Sequence, residues 1–178
     1  LQCMSEDRQS IGTYQYKVES PYSLSHNYVT SLLEDRSGNL WVGTYRGGLN
    51  KARLARLSQF HSYDFNHFGL PQNELVVFAF AEGGDRRLWV GTGNGLFLLD
   101  KKTKSILQHF DYGPAEDLGL GHPVVHSLLE TPDEKLLIGL AEHAGINILD
   151  WKKGKMLHIP EDRSKESWNA HSFNGGPI

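Results

Sequence analysis

The sequence predicts an all-β protein assembled from repeated four-stranded units, on three observations. Nineteen of its 178 residues are glycine, a density of turns that suits short strands. Beta-branched and aromatic residues fill the runs between Gly/Asn/Asp/Ser clusters, and no helix-length stretch carries a 3.6-residue apolar period without a turn signal. The third observation is an internal repeat. Residues 27–50 read NYVTSLLEDRSGNLWVGTYRGGLN and residues 75–98 read LVVFAFAEGGDRRLWVGTGNGLFL. Both run from an apolar strand through an acidic residue and a polar turn to L-W-V-G-T, then to a glycine turn ending in G-L.

A third, eroded copy occupies residues 124–149, VVHSLLETPDEKLLIGLAEHAGINIL, where Ile138 is read in place of the Trp and Gly139 keeps the following glycine. On that alignment Trp41 to Trp89 is 48 residues and Trp89 to Ile138 is 49, a period that falls in the window of β-propeller blades. Alternation and turn signals divide the first unit into strands near 28–34, 39–44, 48–53 and 56–60. The same division gives 75–82, 87–92, 95–99 and 104–110, then 124–130, 135–141, 145–150 and 155–159. Ser37-Gly38-Asn39, Gly83-Gly84-Asp85 and Thr131-Pro132-Asp133 separate the first two strands of each unit, because tight hairpin turns need residues that tolerate positive backbone angles. Residues 13–18 (TYQYKV) alternate like the outer strand of a preceding blade, and 167–173 resemble the opening of the next. The expected organisation is therefore part of one propeller domain over 1–178, with blades near 28–60, 75–110 and 124–159. Three blades are fewer than the roughly four to eight of a closed ring, so the ring is incomplete within this chain.

Composition narrows the function. Lys+Arg at 18 against Asp+Glu at 21 gives a net charge of -3, without the basic excess that draws a protein to nucleic acid or anionic lipid. Cys3 is the single cysteine, which excludes an internal disulfide and a multi-thiolate metal site. No run approaches the roughly eighteen apolar residues of a membrane helix, and the opening LQCMSEDRQS lacks a signal-peptide layout. His122 and His126 are four apart, but on a strand that spacing separates them by about 13 Å, too far to share an ion; His61 and His67 are the other close pair. No metal or cofactor is expected. Hydrolase, P-loop and zinc-protease motifs are absent, and GTGNG at 91–95 precedes no helix that would aim a dipole at phosphate.

The repeated residues read as scaffold. Trp41 and Trp89 fill the wedge between stacked blades, each burial contributing about 2–3 kcal/mol. Gly43 and Gly91 permit close backbone approach, and Thr44 and Thr92 hydrogen-bond in the turn that follows. Asp35 sits where its carboxylate accepts backbone N–H groups in an Asx turn, with Gly83 and Thr131 at the corresponding places. Glu34, Glu82 and Glu130 recur, which suits a shared structural job.

The segments EDRSGNLWVGTYRGGLN and EGGDRRLWVGTGNGLFLLD resemble the two-component regulator propeller repeat. Residues 23–50 match its pattern almost throughout and 69–100 match well, while the third copy lacks the Trp and Thr. The resemblance implies a periplasmic or extracytoplasmic sensor region, usually paired seven-bladed propellers ahead of a membrane helix and an intracellular histidine kinase or diguanylate cyclase. Glycan fragments are ligands in one branch of that family.

A binding site is expected in loops that vary between otherwise repeated strands. The second-to-third-strand turns hold Tyr45-Arg46, Gly93-Asn94 and Glu142-His143, and the connections 66–73 and 111–122 share their face. Tyr45, Arg46, Asn94, Glu142 and His143 are thus the candidate ligand-binding residues, for an unidentified small molecule. The expected reading is a non-catalytic sensing segment whose partners are further blades of a parent protein or a second copy, with membrane contact only through a parent helix. A glycan-active propeller enzyme would need a carboxylate pair or a nucleophile with its base on non-repeating loops, and none stands out. A protein-interaction scaffold would show an exposed apolar face and no small-molecule pocket.

Overall fold

A computed structural model describes residues 1–4, 11–63, 65–66, 69–70, 75–84 and 86–161. Fourteen strands and one short 3-10 turn at Ala115–Asp117 appear among them. The first blade comprises β3 (Val29–Glu34), β4 (Asn39–Thr44), β5 (Gly48–Arg53) and β6 (Arg56–Ser62). In the second blade β7 (Val77–Gly83), β8 (Arg87–Thr92), β9 (Gly95–Asp100) and β10 (Ile106–Phe110) follow. The third contains β11 (Val125–Glu130), β12 (Lys135–Leu140), β13 (Ile146–Asp150) and β14 (Lys155–Ile159). Each is an antiparallel meander in chain order, and a hairpin of β1 (Gln2–Met4) with β2 (Ile11–Thr13) forms a fourth, two-stranded sheet. The fold is all-β and blade-built.

The blades stack because their middle strands are apolar on both faces. β4 and β8 are buried over every residue except the first, as a sheet sandwiched between two others requires. One core cluster joins the first and second blades through Trp41, Leu49, Val77, Val90 and Phe97. A second joins the second and third through Trp89, Leu98, Phe110, Ile138 and Leu149. Close stacking explains the glycines in L-W-V-G-T: a Cβ on Gly43 would lie 2.8 Å from Val77 of the next blade, and one on Gly91 2.6 Å from Val125. Each blade also carries a bulge at the same place in its first strand pair, at Val29/Ser31, Val77/Ala79 and Val125/Ser127, a recurrent bend that belongs to the repeat.

Two expectations change. Of residues 13–18 only Thr13 is in a strand; the outer strand at this end is β2, ending at Thr13 and paired with β1. Tyr14 N–H still reaches the Leu1 carbonyl at 2.8 Å, but beyond it backbone donors go to side chains: Tyr16 N–H to Asn27 Oδ1 (2.7 Å) and Lys17 N–H to Ser23 Oγ (3.0 Å). Such local capture competes with ladder formation. The hairpin lies on the first blade, where Leu1, Cys3 and Tyr14 pack against Leu24, Val42 and Phe60. The second change is register. Leu33 faces Trp41, Ala81 faces Trp89 and Leu129 faces Leu137, so Leu137 occupies the Trp position and Ile138 matches Val42 and Val90. The period is then 48 residues throughout. Segment 167–173 lies outside the described residues.

Candidate functional site

The repeated polar residues are consumed by the scaffold. Asp35, 3% exposed, closes the β3–β4 turn by accepting the Ser37 and Asn39 N–H groups at 2.9 and 3.0 Å, and its other oxygen takes the Trp41 indole N–H at 2.9 Å. Burial pushes its carboxyl up, but the Trp41, Asn39 and Ser37 donors outweigh that and hold it below its ordinary value. In the second blade the Trp89 indole N–H donates instead to Glu130 of the third, at 2.8 Å. Glu82 also reaches back across a seam, accepting the Arg36 N–H at 3.3 Å, and pairs with Lys101 of its own blade. Thr44 and Thr92 donate to the carbonyls of Gly48 (2.9 Å) and Gly95 (2.8 Å), closing the turns that carry the candidate loops.

Those loops lie at one end of the strands. Tyr45 is 45% exposed, its ring tilted against Tyr28 (5.6 Å between centroids) and His26 (6.4 Å). Arg46 has a positive φ of 58° and lines a cavity of about 340 Å³ with Tyr16, Pro21 and Ser25. Asn94 is locked by its backbone, its N–H donating to Thr92 Oγ1 at 3.0 Å and its carbonyl meeting His109 Nε2 at 2.7 Å. Glu142 and His143 are consecutive non-glycine residues with φ of 52° and 64°, a left-handed pair that L side chains adopt at a cost of order 1–3 kcal/mol each. Glu142 lies 3.5 Å from His122, and His143 lies 2.9 Å from Glu161 beside a cavity of about 390 Å³. The five candidates therefore share a face but not a pocket: Arg46 and His143 line different cavities. Tyr28 and His26, which complete the aromatic group around Tyr45, were absent from the sequence reading because they precede the repeat's most recognisable residues.

The histidines are spread among other duties. His126 packs on Phe78 at 4.7 Å, and His122 accepts the Val124 N–H at 3.1 Å; His67 lies outside the described residues. Among the described residues no group of three His, Cys, Asp or Glu side chains could hold a metal ion. None of the described helices is long and apolar enough to cross a membrane.

A larger cavity, about 670 Å³, opens between the first and second blades away from these loops. Its wall includes Lys51, Arg53, His61, Tyr63 and Lys104, none of them a candidate on sequence grounds.

Residues 23–46 match the family model described as two component regulator propeller. No curated protein matches the chain. Among solved structures, the chain is similar to the extracellular domain of a protein assigned as a hybrid two component system of B. thetaiotaomicron, at 27% identity and a TM-score of 0.62 over 77% of this chain and 17% of that one. A second such extracellular domain from the same organism aligns at 20% identity and a TM-score of 0.68, over 83% of this chain and 20% of that one. Virginiamycin B lyase from Staphylococcus aureus shares the fold at 12% identity and a TM-score of 0.62, covering 92% of this chain and 49% of the lyase. This chain thus spans 17 to 20% of these two extracellular-domain structures. It is a run of β-propeller blades carrying a two-component regulator propeller repeat at residues 23–46.

Proposed function

We propose that this chain is part of the extracytoplasmic propeller of a bacterial signal-transduction protein, that it senses a small molecule without catalysing its conversion, and that occupancy is passed to an intracellular output module elsewhere in the parent. The observation that carries this reading is the regulator-propeller repeat at 23–46, supported by the 27% identity to an extracellular domain assigned to a hybrid two-component system. The three blades belong to one propeller domain whose other blades come from the parent chain or from a second copy. Nucleic acid is not a partner, and the membrane is reached only through a helix of the parent.

The ligand face is the one bearing Tyr45, Arg46, Asn94, Glu142 and His143, extended by Tyr28 and His26. Three aromatic rings in a tilted, half-exposed group suit a ligand with both apolar faces and hydroxyl edges, which fits a glycan fragment. The left-handed Glu142-His143 pair supports the same face, since side chains kept where glycine would be unstrained point to a use for them. A ligand signals only if it binds one of two states more tightly, and loops seated on separate blades are placed to feel a change in blade packing.

Calorimetric titration of the full 178-residue chain with a panel of neutral oligosaccharides tests this. Saturable binding to one member, weakened at least tenfold by the paired change Tyr28→Ala and Tyr45→Ala, is expected, with no product formed on prolonged incubation. Binding indifferent to that pair would remove the loop face from the reading. Turnover abolished by one carboxylate substitution would replace sensing with catalysis.

A further inference from the structure

The repeat supplies its own control, because the outer rims of the two gaps between blades are filled by different chemistry. In the gap between the second and third blades, Trp89 is packed edge-on by Trp151 at 5.5 Å and tilted against Phe110 at 6.0 Å, with Leu98 opposite it in the ladder. All are apolar. In the gap between the first and second blades, register puts Lys51 opposite Trp41, where Leu98 stands opposite Trp89. Tyr63, whose N–H donates to the carbonyl of Leu49 at 3.0 Å, takes the place of Phe110, which pairs with Leu96. Lys101 follows Asp100 as Trp151 follows Asp150. Three apolar side chains in one gap are thus replaced by two lysines and a phenol in the other.

The replacement leaves the cavity of about 670 Å³. Lys51, Arg53, Lys104 and His61 line it, and among the described residues no Asp or Glu does. None of the described ion pairs involves Lys51, Arg53 or Lys104. The Lys51 ammonium sits 4.5 Å above the Trp41 ring and, among the described residues, donates only to the Lys101 carbonyl, at 3.3 Å. The carboxylate that acts on it, Asp35, already serves Trp41, Asn39 and Ser37. Tyr63 is 6% exposed, and its buried hydroxyl has no hydrogen-bond partner among the described residues. A half-buried cation and an orphaned hydroxyl are both costly in the absence of a counterpart. Packing does not demand them, since the neighbouring gap achieves closure with leucine, phenylalanine and tryptophan.

We propose that this rim is a binding site for a small organic anion, whose carboxylate or sulfate group is held by Lys51, Arg53 and Lys104 and accepts a hydrogen bond from the Tyr63 hydroxyl. The volume lies in the range of small-molecule sites, about 300–1,000 Å³, and exceeds what a bare ion fills. Burial pushes the Lys51 amine down, and Lys104, Lys101 and Arg53 push it the same way against Asp35; a bound anion relieves all of these except burial. The site is separate from the loop face: β4 runs from Asn39, in the cavity wall, to Thr44, beside Tyr45. It stands or falls independently of the sensing function.

The test titrates the full chain with benzoate, with inorganic sulfate and with neutral benzamide at constant ionic strength, following binding by calorimetry and the tyrosine ring resonances by NMR. Saturable benzoate binding, undetectable for benzamide and weakened at least tenfold in Lys51→Met, is the expected result. Lys51→Met should fold, because leucine holds the equivalent place in the second blade, and thermal unfolding verifies it. Lys155→Met, an exposed lysine elsewhere, should bind as the parent does. Binding of sulfate but not benzoate would overturn the organic ligand in favour of an inorganic oxyanion. No saturable binding of either anion, or binding that survives Lys51→Met, would overturn the site.

Discussion

Trp41 and Trp89 occupy the same register in adjacent blades, are 0% and 1% exposed, and donate their indole N–H groups to carboxylates at 2.9 and 2.8 Å. The carboxylates have different origins. Asp35 comes from the first blade's own turn, six residues before its tryptophan, whereas Glu130 comes from the third blade, 41 residues after its own. Gly83 stands where Asp35 would recur, and a Cβ there would lie 2.9 Å from the Trp89 indole nitrogen, so Glu130 and a second-blade aspartate cannot share the space. In the third blade Leu137 has no side-chain N–H to satisfy, and Thr131 keeps only the turn, accepting the Lys135 N–H at 3.1 Å. A carboxylate is therefore kept wherever a buried indole donor needs it, while its source can move. The first blade satisfies its indole from its own turn, and Glu82 of the second ties it across the seam through Arg36; the second blade's indole is itself tied to the third.

The largest effect that tests this pairing is removal of the rings. Trp41→Ala and Trp89→Ala should each lose about 3–5 kcal/mol, by lost transfer energy plus a cavity that stacked sheets cannot collapse into. Urea unfolding measures both. A loss near zero for either would break the equivalence of the two blades.

Removing the carboxylates should separate them. Asp35→Ala deletes the acceptor of two backbone N–H groups, an amide and the indole, and is expected to lose about 2–3 kcal/mol, with the first blade's amides exchanging faster. Glu130→Ala should lose about 1–2 kcal/mol, with faster exchange on both sides of the seam it bridges. Identical exchange patterns would refute the distinction between an indole held within its own blade and one tied across a seam. The pH dependence follows from the Asp35 carboxyl, held below its ordinary 3.8. A folded-state value lower than the unfolded one gives stability that is full above the unfolded value and lost as pH falls through the folded one. Asp35→Asn should thus flatten the acid limb of the stability curve below about pH 4, and an unchanged limb would remove Asp35 as its source.

These particulars show what was readable in advance. Strands from residue 29 onward were legible because a repeat with a landmark tryptophan registers itself. The third copy slipped by one residue because Leu136-Leu137-Ile138 offers no landmark, and only the ladder shows that Leu137 faces Leu129. TYQYKV imitates a strand by alternation, yet the Asn27 and Ser23 side chains that take its N–H groups lie well downstream of the segment. The Glu130–Trp89 bond was hidden by the same long range. So was the cationic rim, whose wall comes from two blades; its one available signal was Lys51 aligned with Leu98.

That alignment yields a smaller effect of opposite sign. Lys51→Leu gives the first gap the residue used in the second, and replacing a half-buried cation by a packed apolar side chain is neutral to stabilising, here by about 0–2 kcal/mol. A rise in melting temperature without added anion is expected. Clear destabilisation would mean that the cation–π contact over Trp41 outweighs the cost of burying the charge.

The smallest effect belongs to Tyr45, four residues beyond Trp41 on the same hairpin. Its ring is 45% exposed and touches Tyr28 and His26, which are themselves outside the core clusters. The bond that anchors this residue, from its N–H to the Tyr28 carbonyl at 2.9 Å, is backbone to backbone and survives truncation. Tyr45→Ala should therefore shift stability by under about 1 kcal/mol, several-fold less than Trp41→Ala, while acting on oligosaccharide binding if the loop face is used. Urea midpoints of the two variants, compared at equal m-values, provide the measurement. A Tyr45→Ala loss equal to that of Trp41→Ala would mean that the turn, rather than the carboxylate-held ring beneath it, holds the first blade together.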